Sequence, residues 1–299
     1  MQVETDTKNV SPLRYPGGKT RACAKLEACF LEHFATKEFD TIVSPFFGGG
    51  SFEFYLQNKY SFKLIVNDKF TPLYNFWKQV KENKLALCEA LKQKNTISKE
   101  EFANYRATIL QTDTADLQKA MQYFIINRCS FSGATLSGGF SEEASKKRYT
   151  PSSIRKIEAL DLSAMEIYNS DFAAFIEEHH AGTSVAGTSV AGTSVAGTSV
   201  AGTSVAGTSV AGTKSLLFLD PPYYLEKKSK LYGKNGDMHE HFDHQKLFDV
   251  IKTKRNWLLT YNNCAYIKDL YKDYLIIETS WSYGMNKTKE SSEIIIVSK

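Results

Sequence analysis

The tetrapeptide Asp220-Pro221-Pro222-Tyr223 directly follows an apolar run, Ser215 to Leu219 (SLLFL). If that run is a strand of a doubly wound sheet, the tetrapeptide lies at the strand end where such sheets bind ligands. The Asp220 carboxylate and the Pro221 carbonyl can together accept both hydrogens of an exocyclic base amine, which directs the nitrogen lone pair at an electrophile. Consecutive prolines stiffen the turn, and Tyr223 offers an aromatic face to an extruded base. A strand-ending turn with a solvated aspartate is the alternative explanation.

A glycine-rich segment, Ser44 to Gly50 (SPFFGGG), follows another apolar run and precedes a helix-like segment. Its glycines, such as Gly48 and Gly50, allow the backbone to approach a cofactor closely. Asp68 ends the next strand-like run, and an acid at such a strand end can accept hydrogen bonds from both hydroxyls of a ribose. Each signal is weak by itself, because glycine-rich turns and acidic strand ends are common.

A second glycine-containing segment lies at Tyr15 to Lys19 (YPGGK). The Lys19 ammonium could meet a carboxylate, and the Tyr15 ring could cover an apolar ligand. The segment lacks the strand context and the spacing of a phosphate-binding P-loop. A plain turn explains this segment equally well when it is taken alone.

The elements that would position these residues alternate between strand and helix. Strand-like runs at 41–43, 62–67, 215–219 and 257–261 are separated by helical patterns at 51–57, 72–84, 172–180 and 243–251, the last with Asp243 as its predicted cap. This alternation predicts an α/β fold with a doubly wound, Rossmann-like sheet. Apolar runs at 275–277 and 293–297 predict an antiparallel hairpin at the edge of that sheet.

Residues 70–150 break the alternation, because they are rich in helical patterns and end in a basic loop rich in serine and glycine. We expect them to form an inserted target-recognition domain, with the catalytic domain built from residues 1–69 and 151–299. Basic and polar side chains there could contact DNA phosphates, and an aromatic ring could wedge a base step. The candidates are Arg128, Ser130, Phe131, Ser132, Lys146, Lys147 and Arg148. A solvated charged surface is the alternative.

The segment from Ala181 to Thr213 repeats AGTSV six times and then adds AGT. It cannot build a core of its own, because valine is its only sizeable apolar side chain. We expect a flexible loop rather than a solenoid, whose repeat units are longer. Because a helix precedes the loop and a parallel strand follows it, the loop should leave the sheet at the edge opposite the ligand-binding edge.

Composition narrows the classes of function. The net charge of +4 permits a nucleic-acid partner without requiring one. The five cysteines show no metal-binding spacing, and none follows a proline, as the nucleophile of cytosine C5 methylation usually does. No apolar run reaches the roughly 20 residues that span a bilayer, and residues 1–9 are polar. We therefore expect a cytoplasmic protein with no metal and no membrane partner.

Together and in this order, the motifs resemble those of the D12 class of adenine-specific DNA methyltransferases. They are YPGGK at 15–19, PFFGGG at 45–50, the acid Asp68 after the second strand, and DPPY at 220–223 after an inserted domain. The resemblance covers nearly the whole chain except the repeats. It implies that the protein uses S-adenosylmethionine to methylate the N6 amine of an adenine flipped out of double-stranded DNA.

The resemblance also implies roles for individual residues. Asp220, Pro221, Pro222 and Tyr223 would hold the target adenine, and the cofactor would contact Tyr15, Lys19, Phe46, Gly48, Gly50, Asp68 and Asp220. Many members carry an acid where this chain has Ser44, so the partner of the cofactor's amino group is left open.

Several alternatives remain open at this stage. Methyltransferases that act on cytosine N4 usually have serine where Asp220 stands, and those that act on RNA or protein amines typically have asparagine there. An inactive sequence-specific DNA-binding protein would need broken motifs, for which Ser44 is the one candidate. The resemblance suggests a monomer that recognises a short palindrome, CATG in preference to GATC. It leaves open whether a separate restriction endonuclease accompanies the enzyme.

Overall fold

The computed structural model describes residues 8–180, 214–224, 241–282 and 290–298. The loop predicted at 181–213, and most of the polar start of the sequence, lie outside the described residues.

The described residues contain a seven-stranded sheet with the strand order β3-β2-β1-β4-β5-β7-β6. Strands β1 to β5 are parallel, whereas β7 runs antiparallel to both β5 and β6. The predicted α/β class and the predicted terminal hairpin are confirmed, while β3 was not predicted. The strands are β1 Thr41–Ser44, β2 Lys63–Asn67, β3 Met165–Tyr168, β4 Ser215–Leu219, β5 Trp257–Asn262, β6 Leu275–Ser282 and β7 Glu290–Val297.

Six consecutive α-helices lie between β2 and β3, and elsewhere in the described residues helices mostly alternate with the strands. The helix predicted over 72–84 is divided at Asn83, whose φ of −131° separates two helices. Asp243 caps its helix as predicted, because its side chain accepts a hydrogen bond from Lys246 N at 2.8 Å. The helices are α1 Cys23–His33, α2 Ser51–Tyr60, α3 Thr71–Glu82, α4 Lys84–Lys92, α5 Lys99–Thr108, α6 Asp116–Cys129, α7 Glu142–Lys147, α8 Pro151–Glu158, α9 Phe172–His179, α10 His244–Ile251 and α11 Ala265–Leu270.

The central strands β1, β4 and β5 are almost wholly buried because helices cover both faces of the sheet. Successive residues of a strand point to opposite faces, so Leu216 and Phe218 of β4 join one hydrophobic cluster, and Leu217 and Leu219 join the other. The first cluster includes side chains of α1 to α6, and the second includes side chains of α9, α10 and α11. This two-sided burial explains why SLLFL is an unbroken apolar run.

The helical segment 70–150 packs directly on the sheet. Phe76 and Trp77 of α3 and Phe124 of α6 belong to the same hydrophobic cluster as Ile42 of β1 and Leu64 of β2. The division into a catalytic domain and an inserted recognition domain remains a prediction.

A crevice is expected between β1 and β4, where the strand order reverses. From β1 the sheet continues through β2 and β3 on one side and through β4 and β5 on the other. In doubly wound sheets, the carboxyl ends of the two strands at such a point bind the ligand. The chain therefore places the segments that follow Ser44 and Leu219 side by side.

The residues that flank the AGTSV repeats lie at the opposite edge of the sheet. His180 follows α9, and its Nδ1 lies 2.8 Å from Ser215 Oγ. Asp40 N donates a hydrogen bond to Lys214 O at 3.1 Å, and Ser215 pairs with Thr41, the first residue of β1. Both flanks are thus held at the amino ends of β1 and β4.

Candidate active site

A cavity of about 770 Å³ opens at the carboxyl ends of β1, β2 and β4. Its volume falls within the range of about 300–1,000 Å³ that is typical of small-molecule sites. Every residue predicted for catalysis or cofactor binding lines it: Tyr15, Lys19, Phe46, Gly48, Gly50, Asp68, Asp220, Pro221, Pro222 and Tyr223. Segments that are far apart in the sequence therefore share one space.

The Asp220 carboxylate is held by two side chains. Lys19 Nζ donates to Oδ1 at 2.6 Å and to Oδ2 at 2.8 Å, and Thr260 Oγ1 donates to Oδ1 at 2.7 Å. Lys19 is buried, whereas the Asp220 side chain is 23% exposed. The carboxylate therefore has a fixed orientation and still faces the cavity.

Thr260 was not predicted from the sequence. It follows Leu259 of β5, which pairs with Leu219 at the end of β4, so its hydroxyl lies level with Asp220. The available signal was a single hydroxyl side chain inside the apolar run WLLTY. Thr260 lies beside Asp220 only because β5 is the neighbour of β4, and the sequence of the run does not reveal this strand order.

Lys19 reaches Asp220 because the preceding turn directs it inward. Gly17 has a φ of 75°, a left-handed conformation that favours glycine, and Gly18 N donates to Tyr15 O at 3.0 Å. The Lys19 ammonium also lies 4.9 Å from the centre of the Tyr223 ring. The Lys19 side chain thus connects the Tyr15–Lys19 segment to the Asp220–Tyr223 segment.

The glycine-rich turn and Asp68 are joined by a hydrogen bond. Gly48 N donates to Asp68 Oδ2 at 3.0 Å, and Phe70 N donates to Asp68 Oδ1 at 2.9 Å. Gly48 has a φ of +51°, and a Cβ atom there would lie 2.8 Å from the Tyr15 ring, so the position requires glycine. Burial raises the pKa of the Asp68 carboxyl to about 6, against the opposing effect of these two amide donors.

A second buried acid, Glu53, also lines the cavity and was not predicted. It lies in the first turn of α2, and its Oε1 accepts a hydrogen bond from Ser44 Oγ at 2.6 Å. Burial raises the pKa of the Glu53 carboxyl to about 7. Ser44 therefore helps to orient a carboxylate that lines the cavity.

Three phenylalanine rings form an aromatic wall of the cavity. Phe46 lies 5.6 Å from Phe172 and 5.5 Å from Phe242, measured between ring centres, and Phe172 lies 5.4 Å from Phe242. Phe46 was predicted as a cofactor contact, whereas Phe172 and Phe242 come from distant segments. Such a wall can pack against the flat face of a heteroaromatic ring.

A family model for D12 class N6 adenine-specific DNA methyltransferases matches residues 15–186 and 205–285. The chain belongs to this family. The matched ranges contain all four predicted motifs and omit residues 187–204, which lie inside the AGTSV repeats. None of the curated proteins compared with the chain matches it.

Family membership makes the chain a DNA adenine methyltransferase and favours adenine over cytosine N4 as the target. Among the described residues, no helix is both long and apolar enough to cross a membrane. No group of three or more His, Cys, Asp or Glu side chains in the described ranges could hold a metal ion.

The residues predicted to contact DNA fall into two groups. Phe131 is 71% exposed, and Ser132, with a φ of 62°, follows it in a short 3₁₀ turn. Lys146 and Lys147 are exposed on α7 and pair with Glu142 at 2.6 Å and Glu143 at 3.0 Å, respectively. With the exposed Arg148, these residues remain candidates for DNA contact.

Two of the predicted DNA contacts are better explained as structural residues. Ser130 is fully buried, and its hydroxyl donates to Asn127 O, so it cannot reach a phosphate in this conformation. The Arg128 guanidinium donates to Arg148 O at 2.7 Å and to Pro12 O at 3.0 Å. Arg128 therefore ties two backbone segments together, and its contact with DNA stays a prediction, whereas the burial of Ser130 opposes such a contact.

Asn127 connects the loop that carries Phe131 to the cavity. Its Oδ1 accepts from Arg14 N at 2.9 Å, and its Nδ2 donates to Arg14 O at 2.8 Å. Arg14 directly precedes the Tyr15–Lys19 segment, which reaches Asp220. The buried Asn127 side chain thus fixes the position of the exposed loop relative to the acid.

Proposed function

We propose that the protein transfers a methyl group from S-adenosylmethionine to the N6 amine of an adenine flipped out of a short site in duplex DNA. The observation that carries the proposal is the shared cavity, in which the Asp220–Tyr223 segment, Asp68 and the glycine-rich turn meet. Family membership supports methyl transfer to adenine in DNA. The cofactor, the flipped base and the site residues are the finer parts of the proposal.

The chemistry at Asp220 follows from the electronic structure of the amine. The adenine N6 lone pair is delocalised into the ring, which makes the nitrogen a poor nucleophile. The Asp220 carboxylate and the Pro221 carbonyl offer acceptors for the two amine hydrogens, so that the lone pair can turn towards the methyl group. When bound, the cofactor would supply that methyl group from a positively charged sulfur and leave as the neutral thioether, while the methylated amine loses one proton to solvent.

Preorganisation is the contribution of Lys19 and Thr260. Both hold the Asp220 carboxylate before the amine arrives, so little reorganisation is needed as positive charge develops on the nitrogen. We propose that the Tyr223 ring packs against the base. The two prolines keep the Pro221 carbonyl direction fixed.

For the cofactor we assign Tyr15, Lys19, Phe46, Gly48, Gly50, Asp68 and Asp220. The Asp68 carboxylate is suited to the ribose hydroxyls, because it is buried at the wall of the cavity beside the glycine-rich turn. The wall formed by Phe46, Phe172 and Phe242 is suited to the adenine ring. The Tyr15 ring packs so closely on Gly48 that a side chain at this position would meet the ring.

For DNA we propose that Phe131 enters the duplex beside the target base and that Lys146, Lys147 and Arg148 contact phosphates. We further propose that the protein acts in the cytoplasm as a monomer. A separate restriction endonuclease with the same recognition sequence would fit this activity.

Replacing Lys146, Lys147 and Arg148 all by glutamine should make DNA binding less dependent on salt concentration. The slope of log K against log salt concentration should fall by about 0.9 for each phosphate that the variant no longer neutralises. The pairs with Glu142 and Glu143 are exposed and therefore weak, so the lysines can exchange them for phosphates. Fluorescence anisotropy on a labelled duplex at several salt concentrations measures the slope.

A matched control neutralises three exposed basic residues at the other edge of the sheet. Lys252 and Arg255 lie between α10 and β5, and Lys272 lies before β6. This variant has the same net charge as the first one and should keep the wild-type slope. Equal slopes in all three proteins would place the DNA-binding surface elsewhere.

Expression of the chain in a host without DNA methylation tests the proposed function, followed by sequencing that detects modified bases. We expect N6-methyladenine within one short palindrome, with CATG favoured over GATC. Modified cytosine, or no modified base from a folded protein, would contradict the proposal.

Replacing residues 181–213 by a four-residue Gly/Ser loop should leave the methylation rate within a few-fold of the wild-type value. Both flanks of the segment lie at the amino ends of the strands, whereas Asp220 lies at the carboxyl end of β4. Lengthening a flexible loop costs only about 0.6 kcal/mol per doubling, so thermal stability should change little. Adding or removing one AGTSV unit should be tolerated for the same reason.

Initial rates and thermal melting of the shortened protein test this prediction. Loss of activity in a variant that melts like the wild type would show that the repeats contribute to the site or to DNA binding.

A further inference from the structure

We infer that Glu53, oriented by Ser44, binds the α-ammonium group of S-adenosylmethionine. The inference rests on the proposed function, because it assigns a role towards the proposed cofactor. It adds a cofactor-binding residue that none of the four sequence motifs predicted.

The position of Glu53 is unusual for a carboxylate. Its side chain is 3% exposed, yet it forms part of the cavity wall. Ser44 Oγ donates to Oε1 at 2.6 Å. Within the described residues, Glu53 forms no ion pair with a lysine, arginine or histidine, and the nearby Lys19 ammonium is bound to both oxygens of Asp220.

A buried carboxylate without a cation is costly in its charged form. Burial accordingly raises the pKa of Glu53 to about 7, with Asp220 raising it slightly and Lys19 lowering it. Cys23 is the further titratable side chain that interacts with Glu53. A ligand cation placed beside Glu53 would restore the charged form.

The ammonium group fits this place better than the sulfonium group. The sulfonium methyl must face the amine held at Asp220, whereas Glu53 lies in the first turn of α2. Gly50, the N-cap of this ten-residue helix, provides no side-chain cap for the amides of that turn. The amino-acid tail of the cofactor carries two charges that this part of the cavity can bind. Its carboxylate would face the helix amides, and its ammonium would face Glu53.

Isothermal titration calorimetry with two ligands tests the inference. S-Adenosylhomocysteine carries the α-ammonium and lacks the sulfonium charge, whereas 5′-methylthioadenosine lacks the amino-acid tail altogether. Glu53→Gln should weaken S-adenosylhomocysteine binding by about tenfold or more, as expected for the removal of a charge-assisted hydrogen bond. The affinity for 5′-methylthioadenosine should stay within about twofold of the wild-type value, since that ligand has no group for Glu53 to bind.

Glu27→Gln is the matched control. Glu27 is also a buried glutamate, but its carboxylate is bound by Lys59, Tyr55 and Tyr60, outside the cavity wall. Its replacement should leave both affinities unchanged.

Ser44→Ala provides a second variant, which keeps the Glu53 carboxylate but removes its hydrogen-bond donor. It should weaken S-adenosylhomocysteine binding a few-fold and leave 5′-methylthioadenosine binding unchanged. Wild-type protein at pH 7 should also release part of a proton when it binds S-adenosylhomocysteine, because a cation lowers the pKa of Glu53. Calorimetry in two buffers of different ionisation enthalpy measures this release, and Glu53→Gln should leave only the smaller share that Asp68, with a pKa of about 6, contributes.

Unchanged S-adenosylhomocysteine affinity in Glu53→Gln and Ser44→Ala would overturn this inference and leave the proposed function standing. If Glu53→Gln lowered the affinity for both ligands equally, the inference would also be overturned, because Glu53 would then maintain the shape of the pocket rather than bind the ammonium group. A wild-type protein that binds neither ligand would overturn the proposed function and this inference with it.

Discussion

Replacing Asp220 by alanine is expected to lower the rate of methyl transfer by about a hundredfold or more, because it removes a preorganised acceptor for the reacting amine. Lys19 and Thr260 would remain in place but would hold no carboxylate. Single-turnover methylation of a duplex that contains the recognition site measures the effect on the chemical step. A folded Asp220→Ala protein with nearly wild-type turnover would refute the proposed mechanism.

The Asp220 experiment needs a check on stability, because Lys19 is only 4% exposed. A buried ammonium that loses its partner destabilises a protein by about 3–5 kcal/mol. Asp220→Asn keeps one acceptor oxygen beside Thr260, but it removes the charge and turns the second acceptor, which Lys19 also binds, into an amide donor. Asp249→Ala is the matched control: Asp249 pairs with Lys252 on the surface and lies outside the cavity wall, so its replacement should change neither rate nor melting.

Replacing Asp68 by alanine is expected to weaken the binding of 5′-methylthioadenosine by about 1–3 kcal/mol, the contribution of hydrogen bonds to a charged acceptor. This ligand keeps the ribose and lacks the tail assigned to Glu53, so its affinity isolates Asp68. Asp68→Asn should show a similar defect while retaining an acceptor for Gly48 N or Phe70 N. Calorimetry measures both variants.

The same assignment predicts a pH dependence. Burial raises the pKa of Asp68 to about 6, and the ribose hydroxyls bind best to the charged carboxylate. Wild-type affinity for 5′-methylthioadenosine should therefore be full above that value and fall as the pH drops through it, whereas Asp68→Asn should show no such fall. Asp161→Asn, outside the cavity wall, removes an aspartate that also accepts a backbone amide bond, and it should keep the wild-type profile. A wild-type profile that is flat from one pH unit below that pKa to one unit above it would contradict the role of Asp68.

Much of the fold could be predicted because parallel strands that are buried on both faces have nearly unbroken apolar sequences. Ser215 to Leu219 coincides with β4, and the motif that follows it lies at the expected strand end. Strand β3 was missed because its sequence MEIY, at a sheet edge, alternates apolar and polar residues over only four positions. Its existence depends on pairing with β2.

The candidate site could be predicted only in part. Motif residues were found because each stands in a local pattern of glycines, prolines or strand ends. Glu53 and Thr260 belong to a helix and a strand whose local patterns look ordinary, and tertiary packing alone brings them to the cavity. Ser130 illustrates the opposite error, because a loop rich in serine and glycine suggests exposure, whereas this serine is fully buried.

Transfer of a tritiated methyl group from S-adenosylmethionine to duplex DNA, followed by digestion to nucleosides, tests the central claim most directly. The duplex would contain CATG and GATC sites, and wild-type and Asp220→Ala proteins would be compared. We predict that the label appears in N6-methyldeoxyadenosine with the wild-type protein and is reduced about a hundredfold or more with the variant. Label in N4-methyldeoxycytidine, or equal labelling by both proteins, would contradict the proposed activity.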